Sequence, residues 1–303
     1  MSHFTDRLLE AVRSKGGPVC VGIDPVYERL PESLRSPGDD DVLEVRVDAI
    51  FAFVQKIIEV VAEHVPAVKF QAACFERYGP DGLGVYHALT AEAREAGLIV
   101  IGDVKRGDIG VTAEHYAAAT LLDAAAGDDD AAAPDAVTIN SYFGVDGVKP
   151  FTDVAAEHDK GVFALVRTSN PGGDAIQNLP LTDGRTVAQA VAQLMAQIGS
   201  DPRYIGASGY SLLGAVVGAT KPGDAAALRR LMPQQMFLVP GFGAQGAGAD
   251  DVRACFKADG TGALITASRS ITYAFESRPE VDWAQSIEDA TIEMKRQIGG
   301  IVG

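Results

Sequence analysis

The chain has 303 residues, 47% of them hydrophobic, enough for one large domain or two small ones. Its formal net charge of -15 argues against wrapping nucleic acid or docking on an anionic membrane and suits a protein free in water. Acidity does not exclude an anionic small-molecule ligand, because a site can be locally positive.

Met1 to Asp6 open a polar amphipathic helix rather than a signal peptide. No apolar stretch reaches membrane-spanning length, so a cytoplasmic location is expected. Short apolar runs then alternate with helical patterns. The runs predict strands over 18–23, 67–71, 98–103, 136–139, 162–166, 214–218, 236–239 and 263–266. The helical patterns fall at about 43–64, 81–96, 112–125, 146–158, 185–198, 223–231, 249–257 and 281–298. The strand runs are apolar on both faces, as a sheet covered on both sides requires. Eight strand–helix units predict a (β/α)8 TIM barrel, one domain over residues 1–303 with an extra N-terminal helix and loop insertions. A doubly wound sheet is the competing architecture, but Gly22-Ile23-Asp24-Pro25 after the first strand is no GxGxxG fingerprint.

Two stretches read as insertions. Residues 127–134 are acidic and small, a surface loop with no functional reading. Residues 170–183 carry several glycines and prolines and are long for a βα loop, a type that tends to be functional or mobile. Cys20, Cys74 and Cys255 are odd in number, far apart and in or beside apolar runs, so they read as small buried hydrophobes. The five histidines show no HExxH-like spacing, and no metal site is expected.

The third strand runs directly into Asp103-Val104-Lys105-Arg106-Gly107-Asp108. Two carboxylates and an ammonium at a strand end gain a fold little, because desolvating them costs energy unless each is partnered. Asp103 and Lys105, two apart, share one strand face. In a barrel that face can point into the mouth at the C-terminal ends of the strands. Lys69 lies at a comparable place on the preceding strand, so Lys69, Asp103, Lys105 and Asp108 form a candidate array of alternating charge. Flanking carboxylates would favour the ammonium form of Lys105, a poor Schiff-base nucleophile but a ready proton donor to a basic carbon. The bland reading is a salt-bridge network on the barrel rim. Thr112 also carries two readings, an N-cap of the next helix or a hydroxyl that meets a ligand.

The last two units carry a different signal. Pro240 leads into a loop with Gly241, Gly243, Gly246 and Gly248, which permit close backbone approach to a ligand. The final strand ends in Ser268-Arg269-Ser270. Loops after strands seven and eight of many barrels bind phosphate, and Arg269 would add a planar cation suited to phosphate oxygens. A flexible glycine loop beside a surface arginine is the alternative.

Together with Val21-Gly22-Ile23-Asp24-Pro25, Phe75-Glu76-Arg77-Tyr78-Gly79, Val166-Arg167-Thr168-Ser169-Asn170-Pro171, Gly218-Ala219-Thr220 and Pro240-Gly241-Phe242-Gly243-Ala244-Gln245-Gly246, these residues resemble orotidine 5'-phosphate decarboxylase over nearly the whole chain, and most the longer bacterial branch called type 2. The resemblance implies cofactor-free decarboxylation of orotidine 5'-monophosphate to UMP and CO2 in de novo pyrimidine biosynthesis. It implies that Lys105 protonates C6, that Asp103 sits beside the substrate carboxylate, and that Lys69 completes the network and contacts ribose. Asp108 would reach the neighbouring active site of a homodimer. Asp24 and Thr112 would contact ribose hydroxyls and Ser169 the pyrimidine amide. Gln245 would bridge base and phosphate, with Gly243, Gly246, Ser268 and Arg269 at the phosphate.

Two rivals remain. A magnesium-dependent sugar-phosphate decarboxylase of the same superfamily resembles the Asp103–Asp108 motif, but carries an acidic residue where this chain has Lys69. A non-catalytic phosphate-ligand binder on the same scaffold would need only the phosphate end.

Overall fold

The computed structural model describes residues 2–36, 38, 41–123, 132–243 and 246–302. Each apolar run becomes a strand: β1 (Val19–Ile23), β2 (Ala67–Gln71), β3 (Ile99–Arg106), β4 (Ala136–Ile139), β5 (Gly161–Arg167), β6 (Ser211–Val217), β7 (Gln235–Pro240) and β8 (Ala263–Ala267). Every strand pairs in parallel with the next and β8 returns to β1, which closes the barrel and removes the doubly wound alternative. The helices are α1 (Phe4–Lys15), α2 (Leu43–Val61), α3 (Ala73–Glu76), α4 (Gly79–Glu95), α5 (Gly110–Leu121), α6 (Val145–Glu157), α7 (Asp174–Gln177), α8 (Val187–Gly199), α9 (Pro222–Leu231), α10 (Ala249–Val252), α11 (Arg269–Thr272) and α12 (Trp283–Val302).

Alternation along the strands divides the apolar residues into two cores. Val21, Val68, Val100, Val137, Phe237 and Ile265 face outward and pack under the helices. Cys20, Ala67, Ile101, Phe163, Met236 and Leu264 face inward and fill the barrel. The amphipathic helix α1 joins the inner core through Phe4, Leu8 and Leu9, with the Phe4 ring edge-on to Phe163 at 6.2 Å. Asp6 accepts from the backbone of Ala207 and Ser208 just before β6, and Arg7 pairs with Asp135 just before β4. The helix therefore covers the N-terminal end of the barrel and leaves the C-terminal end open.

Three elements differ from expectation. β3 continues to Arg106, so Lys105 as well as Asp103 lies within the strand, and Asp108 just beyond it. α5 begins at Gly110, and its cap position is Ile109, which makes no side-chain cap hydrogen bond; Thr112 is inside the helix and is not its N-cap. Asp108 Oδ1 instead accepts from the Ile109 N–H at 2.8 Å, a local turn that starts the helix early. The expected helix over 249–257 is a short α10 followed by a tight turn at Arg253–Cys255. Most of the acidic stretch at 127–134 lies outside the described residues.

Candidate active site

The inward phase of β2, β3 and β4 changes from apolar to charged toward the C-terminal end. Two positions beyond Ala67, Ile101 and Ala136 stand Lys69, Asp103 and Thr138. These three meet. Asp103 Oδ2 accepts from Lys69 Nζ at 2.5 Å and from Gln71 Nε2 at 3.2 Å. Asp103 Oδ1 accepts from Lys105 Nζ at 2.6 Å and from Thr138 Oγ1 at 2.8 Å. Four donors thus satisfy one buried carboxylate, the condition under which burying charge is tolerable. Burial alone would raise the Asp103 carboxyl, but Lys69 and Lys105 hold it well below the ordinary carboxylate range. Burial alone would lower Lys69, but Asp103 and Asp24 raise it, so the buried ammonium stays charged.

Lys105 differs from Lys69 in exposure. The Lys69 side chain is 8% exposed and the Lys105 side chain 46%. The register of β3 against β4 shifts between Gly102 and Arg106. At that irregularity Lys105 takes φ +46°, a left-handed conformation that costs a non-glycine residue about 1–3 kcal/mol. Its N–H donates to Thr138 Oγ1 at 3.1 Å, which helps hold the strained backbone. The ammonium thereby bonds Asp103 beneath it and lines the open mouth above.

That mouth is a cavity of about 390 Å³. Lys69, Asp103 and Lys105 form one side. Asp24, Ser268 and Arg269 form another, with Ser169 on the rim after β5. Ser268 Oγ donates to Asp24 Oδ2 at 2.8 Å, while Asp24 Oδ1 is buried with no hydrogen-bond partner among the described residues; the residue itself lines the cavity. Arg269 is exposed and makes no ion pair among the described residues. Gly243 and Gly246 take φ of +71° and +89° in the loop after β7, and both stand outside the cavity lining, although Gly241 and Phe242 belong to it. Gln245 lies outside the described residues. Asp108 and Thr112 do not line the cavity: Asp108 bonds its own neighbour's backbone, and Thr112 is exposed on α5.

Several cavity residues carried no role in the sequence. Gln71 and Thr138 follow the inward alternation from Lys69 and Ala136, so strand phase alone points to them. Thr168 and Asn170 flank Ser169, and Thr266 lies one layer down on β8. Cys20 sits beneath the lysines, and burial pushes its thiol up to about 12, which keeps it neutral. Among the described residues no three His, Cys, Asp or Glu side chains converge as metal ligands. Both Asp103 oxygens already face ammonium groups, a poor donor set for a divalent cation.

The arrangement presents a fixed cation at one side of a cavity and an unpaired arginine at the other. It can hold an anion at the arginine while the ammonium stabilises charge, or delivers a proton, at a distant atom.

Comparison with known proteins agrees with this chemistry. Residues 17–282 match the model of the orotidine 5'-phosphate decarboxylase / HUMPS family. An orotidine 5'-phosphate decarboxylase of Rhodopirellula baltica is 43% identical over 99% of this chain and 100% of its own length. A crystal structure described as a candidate orotidine 5'-phosphate decarboxylase, from Streptomyces avermitilis, superposes with a TM-score of 0.81 at 34% identity, covering 100% of this chain and 96% of that one. The OMP decarboxylase of Leishmania donovani superposes with a TM-score of 0.73 at 30% identity, covering 99% of both chains.

Proposed function

The chain belongs to the orotidine 5'-phosphate decarboxylase / HUMPS family and is an orotidine 5'-phosphate decarboxylase, a carboxy-lyase of pyrimidine biosynthesis; from that premise we propose that Lys105 is the acid that protonates C6 of the nucleotide, in a reaction that needs no cofactor. One observation carries the assignment: Lys105 is the exposed member of an ion-paired Lys69–Asp103–Lys105 row on the cavity wall, held there on a strained backbone.

Loss of CO2 from C6 leaves an electron pair on carbon with little delocalisation. A preorganised ammonium stabilises that developing charge without reorganisation and then gives up a proton to it. Asp103, already ionised, would lie beside the substrate carboxylate and disfavour it relative to the neutral CO2 product. Lys69 keeps Asp103 ionised from the buried side. Arg269, with Ser268 and the loop of Gly243, Gln245 and Gly246, would hold the 5'-phosphate. Remote binding of that kind supplies free energy to align the base. The Asp24 carboxylate on the cavity wall suits a ribose hydroxyl, and Ser169 on the opposite rim suits the pyrimidine amide.

Asp108 and Thr112 fit this scheme only in a homodimer, where they would complete the partner's cavity near the ribose. Around Asp108 the surface is apolar: Ile109, Val111, Tyr142, Phe143 and Val145 are exposed, Tyr142 by 85%. Such a patch beside an unused carboxylate supports a two-fold interface there. A cytoplasmic location is part of the same proposal. It is supported by the soluble nucleotide substrate, and no helix among the described residues is long and apolar enough to cross a membrane.

The magnesium-dependent rival is disfavoured by Lys69, a lysine at the place where the resemblance implies that such an enzyme carries an acidic residue, and here bonded to Asp103. The direct test is to follow the ultraviolet absorbance of orotidine 5'-monophosphate with purified protein and excess chelator. Full conversion to UMP is expected; no conversion, or conversion only with added magnesium, contradicts the reading.

A further inference from the structure

A second charge cluster stands just outside the cavity. Arg167 ends β5, and its side chain is 1% exposed. Its Nε donates to Asp224 Oδ2 on α9 at 2.7 Å, and its Nη2 to Asp174 Oδ1 on α7 at 2.5 Å. Lys221 Nζ adds a contact to Asp174 Oδ2 at 2.8 Å. The remaining nitrogen, Nη1, donates to Gln177 Oε1 at 2.9 Å. That oxygen also accepts from the Thr168 N–H at 3.0 Å, and Gln177 Nε2 donates to Thr168 Oγ1 at 2.8 Å. On the other side of the same segment, Thr220 Oγ1 donates to the Ser169 carbonyl at 2.9 Å. Gly218 closes the packing: a Cβ there would stand 2.7 Å from Ser169 Cα.

The segment Thr168-Ser169-Asn170 is therefore clamped from two loops while its side chains line the cavity. Arg167 does not line the cavity, yet it bonds Asp174 and Gln177 of α7 and Asp224 of α9 at once. A buried guanidinium is costly unless fully bonded, so this one fixes the geometry of everything it touches. We infer that Arg167 and Gln177 are positioning residues for the reaction: they fold the 170–183 excursion onto β5 and thereby set Ser169 against the base of the bound nucleotide. This rests on the proposed seat of the pyrimidine at Ser169. Neither residue touches substrate.

The two ends of the ligand separate this role from general stability. UMP carries base, ribose and phosphate; ribose 5-phosphate lacks the base. Dissociation constants for both are measured by calorimetry on the full-length protein, with melting temperature as the folding control. In Gln177→Ala, UMP is expected to bind roughly tenfold more weakly and KM for orotidine 5'-monophosphate to rise in step, with kcat and ribose 5-phosphate binding nearly unchanged. Arg167→Lys, which cannot reproduce the three-way fork, is expected to show the same selective loss of UMP binding as Gln177→Ala. Ser169→Ala is expected to show the same loss, and the double variant with Gln177→Ala to be no worse than either single one. If Ser169→Ala selectively weakens UMP but Gln177→Ala weakens neither ligand, or weakens both equally, the positioning role is overturned and the base seat stands. If Ser169→Ala leaves the UMP to ribose 5-phosphate preference unchanged, the base seat itself is wrong and the inference falls with it.

Discussion

Two ion clusters sit at the same end of the barrel with opposite construction. In one, a carboxylate, Asp103, is buried between two ammonium groups, and one of these, Lys105, is open to the cavity. In the other, a cation, Arg167, is buried between two carboxylates that are 43% and 44% exposed on the side away from the cavity lining. Both solve the same desolvation problem by pairing. The difference lies in whether the cluster reaches the cavity. The first cluster presents a proton-bearing group to the ligand and suits chemistry. The second presents none and suits holding a loop.

Substitutions sharpen that contrast in order of size. Lys105→Ala removes the proton donor and the cation facing the developing charge, so turnover should fall by at least about a thousandfold. Single-turnover measurement with orotidine 5'-monophosphate checks this, and a loss below tenfold breaks the contrast. Asp103→Asn leaves Lys69 buried without its counter-charge. It should cost about 3 kcal/mol in urea unfolding at neutral pH, besides lowering turnover. Asp103 is held below its ordinary value of 3.8 in the folded state. Its contribution is present above that value and is lost as pH falls through the range between the unfolded and folded values. Melting temperature against pH on the acid side should fall less steeply in Asp103→Asn than in the wild type; equal slopes would show that the carboxylate is not specially held. Lys221→Ala removes a partly exposed pair at the edge of the Arg167 cluster. It should cost less than about 1 kcal/mol in stability, and a larger loss would mark the cluster as structural rather than positional.

How much of this could be read from the chain depends on the range of the interactions. The eight strands follow from local apolar runs and the helices from periodicity, and the barrel follows from counting them. Lys69, Asp103 and Lys105 were legible because strand phase places them on one face, and the same rule reaches Gln71 and Thr138. Thr112 misleads because Gly110 and the Asp108 turn start α5 two residues early. The Arg167 cluster was not legible at all. Its members are residues 174 and 177 on α7 and 221 and 224 at the start of α9, and only folding of the 170–183 excursion and of the turn after β6 brings them to β5. Arg167 stands inside a recognisable motif, but its role depends on those partners.

The most direct test of the division of labour is one paired measurement, kcat for orotidine 5'-monophosphate and the dissociation constant of UMP, in Lys105→Ala and Gln177→Ala side by side. The expected result is a crossing: Lys105→Ala loses turnover and keeps UMP binding within a few-fold, while Gln177→Ala loses UMP binding and keeps most of its turnover at saturation. Parallel losses in both quantities for both variants would contradict it.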